Sequence, residues 1–581
     1  MGGRTRLGVA RLPAARRIRY QEGPVSEPPA NSRNTAQLLV AELAAHGVDR
    51  VFCVPGESYL AVLDALYDER RIEVVTCRHE SGAGFMAVAD GKLTGRPGIA
   101  MVSRGPGATN AAIAVHTAQQ DATPFILFVG QIERRDRGRR AFQEVNYTTT
   151  FGDMAKYVVE IHDPARLSDA VARAFHLATT GTPGAAVVVL PEDFLLDPAP
   201  YAVQGPRASY VAAPAPESVA AVAKLVAAAE RPLLIAGARL AQPAARAGIR
   251  RAAEAWGLPV AVSFRHQDLL DNAHPLFAGH LGYMLPKSTV EIYQESDLVL
   301  AVGTRLGDVT TQGYVFPTAP RPRQRLIHVY DDPAVLGAVF DTDLAVLADP
   351  LAFLSAFAAQ APREPLRLGA WTERLHRIYA DGARWRPQEA TDGVVFGAVI
   401  DALARRLGDD AVFSNDAGNF SGWLARYFPL RASHRLLAPI SGAMGFGVPG
   451  AVAAALRLKR RVISLVGDGG FLMTGNELAT AVQQRLPVTV IVANNGSYGT
   501  IRQHQERSFP GRKIATDLIN PDFARLADAF GARGFRIDHP RDIDAALDGA
   551  LGAAGPTLVE VRTSLEHISA FTTLSTLARR G

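Results

Sequence analysis

The stretch over residues 461–499 constrains the fold most, because it alternates short apolar runs with a helical pattern. Residues 462–466 and 488–493 are short and largely apolar, as is typical of buried strands in a parallel sheet. Residues 477–484 between them are predicted to form a helix, and a proline follows at position 487. The stretch therefore predicts a strand–helix–strand unit in which polar residues follow both strands.

These polar residues stand at the carboxyl ends of the predicted strands, where open parallel sheets bind their ligands. Asp468 follows the first strand and Asn495 the second, and their oxygens are hard ligands suited to Mg²⁺. Gly469 and Gly470 would let backbone N–H groups approach an anion closely. The combination predicts a Mg²⁺–diphosphate site. The alternative is an ordinary turn in which Asp468 caps the following helix.

Two other phosphate-binding patterns do not match this stretch. A Walker loop needs Gly-Lys-Ser/Thr after its glycines, and that sequence is missing here. The dinucleotide-binding fingerprint is a poor match, because Asp468 stands where the pyrophosphate would lie.

The segments GDGGFLMTGNELATA (467–481) and VTVIVANNGSYG (488–499) resemble the cofactor motif of thiamine diphosphate-dependent enzymes of the acetolactate synthase-like group. The resemblance extends in matching order over residues 34–575. It implies thiamine diphosphate and Mg²⁺ as cofactors. By this resemblance, the metal ligands are Asp468, Asn495 and the main chain of Ser497. The same three residues, together with Gly469 and Gly470, are predicted to contact the cofactor.

A second segment, HESGAGFMAVADG (79–91), resembles the glutamate segment of the same enzymes. In that family the acid hydrogen-bonds the aminopyrimidine ring of the cofactor and favours the imino tautomer, which removes the thiazolium proton. By this resemblance Glu80 is the catalytic residue and also binds the cofactor. Glyoxylate carboligases lack this glutamate, so Glu80 argues against that member of the group. Without the resemblance, Glu80 would be interpreted as an acid at a helix N-terminus.

Further positions follow only from the resemblance. Met444 would support the bent shape of the cofactor, although plain core packing is the alternative for a methionine. His504 stands where acetolactate synthases carry a tryptophan linked to the choice of acceptor. The further predicted cofactor-binding residues are Gly56, Gly418, Asn419, Phe420, Gly442 and Met444. The predicted substrate-binding residues are Phe142, Gln143 and His504.

Strand and helix patterns alternate along the rest of the chain, as they do in parallel α/β proteins. The predicted fold class is therefore α/β, with three doubly wound parallel-sheet domains. Linkers near residues 198–216 and 381–391 separate them. The predicted parts are a disordered basic extension, a pyrimidine-binding domain, a central domain and a diphosphate-binding domain, over residues 1–33, 34–200, 215–365 and 390–575.

The charge of the chain is concentrated at its beginning. Residues 1–33 contain seven arginines and two glutamates, a net charge of +5, which equals the net charge of the whole chain. The remainder is balanced and offers no overall basic excess for a nucleic acid. A transit peptide, a disordered tail and a misassigned start all remain open for this extension.

Two cysteines, Cys53 and Cys77, lie in or beside apolar runs and do not form a disulfide framework, which favours the reducing cytoplasm. No apolar run reaches the roughly 18 residues of a membrane span. We therefore expect neither a membrane nor a nucleic acid as a partner.

The resemblance implies a decarboxylase or carboligase that acts on a 2-keto acid. The thiazolium carbon adds to the keto carbon, CO₂ leaves, and the remaining unit is protonated or condenses with an acceptor. Alternatives are a simple decarboxylase, a flavin-dependent oxidase on the same scaffold and a non-catalytic binding module. FAD stays open, because VGTRLGD (302–308) is only a weak flavin signal and Arg-His-Gln (265–267) departs from the acetolactate synthase pattern.

A homodimer or homotetramer is expected, because members of this family form the site between subunits. One subunit contributes the residue at the position of Glu80, and its partner contributes those at Asp468 and Asn495.

Overall fold

The computed structural model describes residues 33–208, 210–283 and 285–579. The predicted basic extension lies outside these residues, apart from Arg33 at its end. Three sheets follow one another along the described chain, and each contains six parallel strands with helices between them. The predicted α/β class with three parallel-sheet domains is confirmed. Within the described residues, no helix has the length and apolar character needed to cross a membrane.

The first sheet consists of β1 (Arg50–Cys53), β2 (Glu73–Thr76), β3 (Gly98–Val102), β4 (Phe125–Gln131), β5 (Tyr157–Glu160) and β6 (Ala185–Pro191). Its helices are α1 (Thr35–Ala45), α2 (Leu60–Asp68), α3 (Glu80–Thr94), α4 (Pro106–Gln120), α5 (Tyr147–Phe151) and α6 (Leu167–Thr179). The strand order is β2-β1-β3-β4-β6-β5. The central strands β3, β4 and β6 are wholly buried, because helices cover both faces of a parallel sheet.

The middle sheet consists of β7 (Pro232–Ala236), β8 (Val260–Val262), β9 (Phe277–His280), β10 (Leu298–Val302), β11 (Arg325–Tyr330) and β12 (Leu344–Leu347), in the order β12-β11-β10-β7-β8-β9. Its helices are α7 (Pro216–Ala227), α8 (Pro243–Trp256), α9 (Lys287–Tyr293), α10 (Pro350–Ala359) and α11 (Gly369–Ala383). In α11, His376 Nδ1 lies 2.9 Å from the carbonyl oxygen of Phe277 in β9. We therefore propose that the middle domain continues to residue 383, beyond the predicted boundary at 365.

The third sheet consists of β13 (Val412–Asn415), β14 (Arg435–Leu437), β15 (Val462–Gly467), β16 (Val488–Asn494), β17 (Arg533–Ile537) and β18 (Thr557–Arg562), in the order β14-β13-β15-β16-β18-β17. The neighbouring strands β15 and β16 are the two that begin and end the stretch over residues 461–499. The helices are α12 (Phe396–Arg406), α13 (Ser421–Tyr427), α14 (Gly447–Leu458), α15 (Asp468–Thr474), α16 (Leu478–Gln483), α17 (Gly499–Ser508), α18 (Phe523–Phe530), α19 (Ile543–Gly552) and α20 (Leu574–Ala578).

The glycine-containing segment directly after β15 is helical. Residues 468–470 do not form a turn but begin the short helix α15, which Gly467 precedes in an extended conformation. A carboxylate at the start of a helix is stabilised by the helix dipole, so Asp468 suits this position.

The first and third domains pack against each other through α3 and α14. Phe85 of α3 meets Phe446, which precedes α14, with ring centroids 5.8 Å apart. At the other end of the interface, the Arg457 guanidinium forms hydrogen bonds of 2.7–2.8 Å with the carboxylates of Asp49 and Asp90. This packing fixes the third sheet relative to the start of α3, where Glu80 lies.

Candidate active site

A cavity of about 250 Å³ lies where β13, β15 and β16 end, at the carboxyl edge of the third sheet. Many of the predicted cofactor-binding residues line it: Gly418, Asn419, Phe420, Gly442, Met444, Asp468, Gly469, Gly470, Asn495 and Ser497. The remaining wall includes residues that the sequence did not single out: Phe396, Trp423, Tyr498, Thr500, Ile501, Thr563, Ser564, His567 and Ile568. The carboxyl ends of parallel strands meet at one edge, which is why residues distant in sequence converge here.

Asp468 is almost completely buried at one wall of this cavity, with 3% of its surface exposed. Its Oδ1 accepts a hydrogen bond of 2.9 Å from its neighbour Gly469, and its Oδ2 accepts one of 2.8 Å from Asn520 Nδ2. Burial raises the pKa of Asp468 above its ordinary value, and the hydrogen bonds oppose this shift. A cation beside the carboxylate would favour the ionised form in the same way.

The two asparagines at the end of β16, its last residue Asn494 and the following Asn495, point in different directions, as successive residues of a strand do. Asn494 Nδ2 donates to Glu560 Oε1 on β18 at 2.7 Å, so this side chain ties two strands together. Asn495 lines the cavity, and its Oδ1 accepts from the backbone N–H of Ser497 at 3.0 Å. The turn that carries the predicted ligands Asn495 and Ser497 is thus held by the side chain of Asn495.

The predicted metal site is not a cluster of acidic, histidine or cysteine side chains. The described residues contain no group of three or more His, Cys, Asp or Glu side chains placed to hold a metal ion. The predicted donors are instead one carboxylate, one amide oxygen and one backbone carbonyl, from Asp468, Asn495 and Ser497. Oxygen donors of these kinds suit Mg²⁺, which usually retains several other ligands.

The loop after β13 forms a second wall. Gly418 adopts a φ of +151°, and a Cβ there would lie 2.5 Å from Phe420 Cε1, so only glycine fits. Asn419 donates from its backbone to Thr500 Oγ1 at 3.1 Å and from Nδ2 to Gln503 Oε1 at 2.8 Å. These bonds fasten the loop to α17, so the two walls of the cavity are joined.

The loop that carries Gly442 and Met444 is held by the buried carboxylate of Asp416. This side chain accepts hydrogen bonds from the backbone N–H groups of Ala417, Gly445 and Gly447, at 2.6–3.0 Å. Burial raises the pKa of Asp416 to about 6, against the opposing effect of these bonds. Gly442 has a φ of +73°, which favours glycine over other residues.

The same loop is also held by the other two domains. Ser441 donates from its backbone to Asp121 Oδ1 of the first domain at 2.7 Å. Arg265 of the middle domain donates to the carbonyl oxygens of Pro439 and Asp416, at 2.9 and 3.2 Å. Arg265 belongs to the Arg-His-Gln segment that departs from the acetolactate synthase pattern. In this chain that segment braces the cavity, rather than offering an open surface.

The residues predicted in the first domain form a separate group. Glu80 is the first residue of α3, and its Oε2 accepts a hydrogen bond of 2.9 Å from Asn110 Nδ2 on α4. Gly107 lies between Glu80 and Ser103, since a Cβ there would be 3.3 Å from Glu80 Oε1 and 3.5 Å from Ser103 Cβ. Gly56 lies on the other side of Ser103, since a Cβ at Gly56 would be 2.5 Å from Ser103 Cβ. Gly56 and Glu80 are thus brought to one edge of the first sheet.

The predicted substrate residues lie in two places, and none of them lines the cavity. Gln143 is beside the Glu80 group, since a Cβ at Gly105 would lie 2.8 Å from Gln143 Cβ. The preceding residue, Phe142, is 78% exposed, an unusual position for a phenylalanine. His504 is exposed on α17, whereas Thr500 and Ile501 of the same helix line the cavity.

No first-domain residue appears in the lining of the cavity within the described chain. The structure therefore assembles two groups: a cavity in the third domain, and a surface group around Glu80, Gly56 and Gln143 in the first domain. One chain does not join them into one site.

Several residues around the site gave no usable signal in the sequence. Asn520 bonds to Asp468 from a loop that lies far beyond the motif, and His567 reaches the cavity from the loop after β18. Glu477 was interpreted only as part of a helix, yet its carboxylate receives hydrogen bonds from the first domain. Asp416 could have been noticed, because it is an acid placed directly after a predicted strand.

Comparison with known families agrees with this architecture. The model described as the N-terminal TPP binding domain of thiamine pyrophosphate enzymes matches residues 33–150. The models of the central domain and of the C-terminal TPP binding domain match residues 219–357 and 416–561. Thiamine pyrophosphate is the same compound as thiamine diphosphate.

The chain is also similar to curated acetolactate synthases over most of its length. It is 32% identical to the acetolactate synthase large subunit of Parasynechococcus marenigrum, over 90% of this chain and 87% of that protein. It is 32% identical to the large subunit of Escherichia coli acetolactate synthase isozyme 1, over 92% of this chain and 94% of that protein. A probable acetolactate synthase large subunit of Methanocaldococcus jannaschii is 30% identical, over 90% and 91%.

Proposed function

This chain belongs to the family of thiamine pyrophosphate enzymes, and from that premise we propose that it is a Mg²⁺-dependent carboligase acting on a 2-keto acid. The enzyme would decarboxylate the keto acid and pass the remaining acyl unit to an acceptor. The observation that carries this proposal is the convergence of Asp468, Asn495 and Ser497 with two glycine-containing loops on one cavity. Similarity to acetolactate synthase large subunits along the whole chain supports the substrate class.

The residues of the cavity fit a Mg²⁺ ion. Asp468 would supply a carboxylate oxygen, Asn495 its amide oxygen and Ser497 its backbone carbonyl. The Asn520 amide already orients Asp468 through a bond of 2.8 Å, as residues behind a metal ligand commonly do. The remaining positions on such an ion would be filled by oxygens of a diphosphate.

The cavity also fits the diphosphate part of the cofactor. Gly469 and Gly470 follow Asp468 in the first turn of α15, where backbone N–H groups have no carbonyl partner within the helix and favour an anion. Thiamine diphosphate, when bound, supplies the carbon nucleophile for the keto group and the sink for the electrons released with CO₂. We propose that Met444 and Gly442 support the organic part of the cofactor, since both line the same cavity.

We propose that the activating carboxyl group is Glu80. Its task would be to hold a proton at the pyrimidine ring of the cofactor, so that the neighbouring amine can act as a base. Because Glu80 does not line the cavity of its own chain, a second copy would supply it. The proposed active unit is thus a homodimer, or a homotetramer built from such dimers, with each site shared between two subunits.

We infer from the contacts of the middle domain that it does not hold FAD. At the carboxyl edge of this sheet, Arg239 forms an ion pair with Asp331, with Nε 3.1 Å from Oδ1. Asp332 accepts from the backbone of Thr182 in the first domain at 2.9 Å, and Arg305 bonds to the carbonyl of Gln120. A flavin adenosine at this edge would have to displace these contacts. We therefore propose a reaction that does not use FAD.

A panel of 2-keto acids, incubated with Mg²⁺, thiamine diphosphate and candidate acceptors, tests the proposal by product analysis. Release of CO₂ together with a hydroxyketone product would support it, whereas an aldehyde alone would identify a simple decarboxylase. Repeating the panel with FAD tests the flavin-dependent oxidase, which would turn the flavin colourless in the presence of a keto acid. No consumption of any keto acid would favour a non-catalytic binding module.

Two details complete the proposal. Asp468→Ala should lose Mg²⁺-dependent cofactor binding in calorimetry, whereas the exposed Asp410→Ala should retain it. Cys53 and Cys77 are both buried and free, which supports the cytoplasm as the proposed location.

A further inference from the structure

The lining of the cavity is short of positive charge for the ligand that it is proposed to hold. Among the described residues, this lining contains one carboxylate, that of Asp468, and no lysine or arginine. A diphosphate ester carries more negative charge than one Mg²⁺ ion neutralises, and Asp468 adds to the excess. Uncompensated charge in a partly desolvated site is costly. His567 is the one lining side chain that can gain a positive charge near neutral pH.

The orientation of the His567 ring follows from its partner. Its Nε2 lies 3.2 Å from the carbonyl oxygen of Glu389. Because a carbonyl oxygen only accepts hydrogen bonds, Nε2 must carry the hydrogen of this bond. Nδ1 is then the atom that gains a proton when the ring becomes charged. The neutral ring would present a lone pair at Nδ1, and the charged ring a strong donor.

The loop around His567 is held in place at several points. The backbone N–H of His567 donates to Ser564 Oγ at 3.1 Å, and Ser564 Oγ donates to Asp392 Oδ1 at 2.5 Å. The other oxygen of Asp392 accepts from the backbone of Glu566 at 2.9 Å. These bonds fix the backbone of the segment that carries His567.

The same loop borders two walls that are proposed to surround the diphosphate. A Cβ at Gly499, at the start of α17, would lie 3.8 Å from Ile568 Cγ1, and one at Gly422 would lie 3.5 Å from the Phe571 ring. Gly422 lies in α13, directly after the loop of Gly418 and Asn419. His567 is therefore built into the frame of the cavity, rather than placed beside it on a free surface.

We propose that His567, in its charged form, binds the diphosphate group of the cofactor through Nδ1 and supplies charge that the metal does not. This inference rests on the proposed function, which identifies the ligand as a diphosphate. It predicts that the affinity for the cofactor falls when the imidazole is replaced by a side chain that cannot carry a positive charge. Other titratable groups of the cavity and of the adjoining elements are Asp468, Tyr498, Asp392, Glu389, Glu566 and Arg426.

The test measures binding, independently of activity. Calorimetry with saturating Mg²⁺ would give the dissociation constant of thiamine diphosphate for the unchanged protein, His567→Gln, His567→Lys and the exposed control His162→Gln. Loss of a charged hydrogen bond should weaken binding by His567→Gln roughly 10- to 100-fold at about pH 6. His567→Lys should restore part of the affinity relative to His567→Gln, because an ammonium group also carries a positive charge.

Two comparisons keep this test separate from the proposed function and from misfolding. Binding of thiamine without phosphates should be the same in His567→Gln as in the unchanged protein, and circular dichroism should show unchanged folding. Equal diphosphate affinity in His567→Gln and the unchanged protein would overturn the role of His567 alone. No diphosphate binding by the unchanged protein would overturn both proposals.

Discussion

At the scale of single residues, the acids of this site are held in very different environments. Asp468 is buried, and the bonds that it receives leave its oxygens close to the cavity. Asp416 is more deeply buried and is used entirely by backbone N–H groups, which makes it a brace for the loop of Met444. Glu80 is only half-buried and bonds to a single amide. The chemistry proposed for each acid follows from these surroundings, rather than from the residue type.

Replacing Glu80 by glutamine should leave cofactor binding intact but slow the exchange of the cofactor's thiazolium proton about 100-fold or more. The reason is that glutamine keeps the shape of the side chain but cannot hold a carboxyl proton at the ring. Exchange into deuterated water, followed by NMR after acid quenching, measures this rate. Glu217→Gln, an exposed change in the middle domain, is the control. An unchanged exchange rate in Glu80→Gln would remove Glu80 from the mechanism.

Asp416 should make the stability of the third domain depend on pH. Its pKa is about 6 in the folded protein and 3.8 ordinarily, so the folded state holds the proton more tightly. Its contribution to stability is fully present below pH 3.8 and is lost as the pH rises through 6. The loss is about 3 kcal/mol, at roughly 1.4 kcal/mol per pKa unit.

The measurement compares denaturant midpoints of the unchanged protein and Asp416→Asn between pH 4 and 8. Trp423 and Trp385 pack together in the third domain and report its unfolding by fluorescence. We expect the stability advantage of the unchanged protein to shrink as the pH rises. The exposed Asp410→Asn serves as control, and an advantage that stays constant with pH would contradict the shifted pKa.

At the scale of elements, the start of α3 depends on an acid from another domain. Glu477 lies just before α16 and is wholly buried. Its Oε1 accepts from the backbone N–H groups of Arg78 and His79, each at 3.0 Å, and its Oε2 accepts from Thr480 Oγ1. These bonds hold the residues immediately before Glu80. The position of the proposed catalytic acid is thus set by packing between the first and third domains.

Glu477→Ala should destabilise the protein by about 2–5 kcal/mol, because it leaves two buried N–H groups without partners. Glu477→Gln is the matched control, since its carbonyl oxygen can accept both bonds and its amide can donate to Thr480. Denaturant unfolding followed by circular dichroism measures the difference. Equal stability of the alanine and glutamine variants would show that these bonds do not fix the start of α3.

At the scale of the whole molecule, the proposed active site requires a second chain. The cavity is formed by the third domain, while the Glu80 group faces outwards from the first domain of the same chain. Within one chain these domains pack together through α3, α14 and Glu477, yet no residue of the Glu80 group lines the cavity. The proposed site is therefore completed by the association of subunits, rather than by folding alone.

Mixing two inactive variants should restore activity if the site is shared. Glu80→Ala and Asp468→Ala each remove one half of the proposed active site. A mixed dimer of the two variants nevertheless contains one site in which both residues are intact. Random exchange of subunits should then recover about one quarter of the original activity, since half of the dimers are mixed and half of their sites are complete. Co-expression with two different affinity tags and assay of the doubly tagged dimer measures this. A mixture without activity would place both residues in one chain.

The sequence by itself determined the fold class and the kinds of residue at the site. Short apolar runs separated by helical patterns specify parallel strands locally, and the acid and asparagine that follow β15 and β16 need no distant partner to be recognised. Family resemblance added Glu80, Gly442 and Met444. The fold class and the polar residues after the strands could be predicted because strand periodicity and strand-end chemistry are properties of consecutive residues.

Only the tertiary structure decided which residues surround the cavity and which do not. Asn520, His567 and Arg265 come from loops that are distant in sequence, and only the packing of the sheets and domains brings them to the site. That Glu80 contributes to a site of a partner subunit was expected only from the family resemblance, and the structure of one chain adds that Glu80 does not line the cavity. Such contacts depend on long-range packing, which no local pattern encodes.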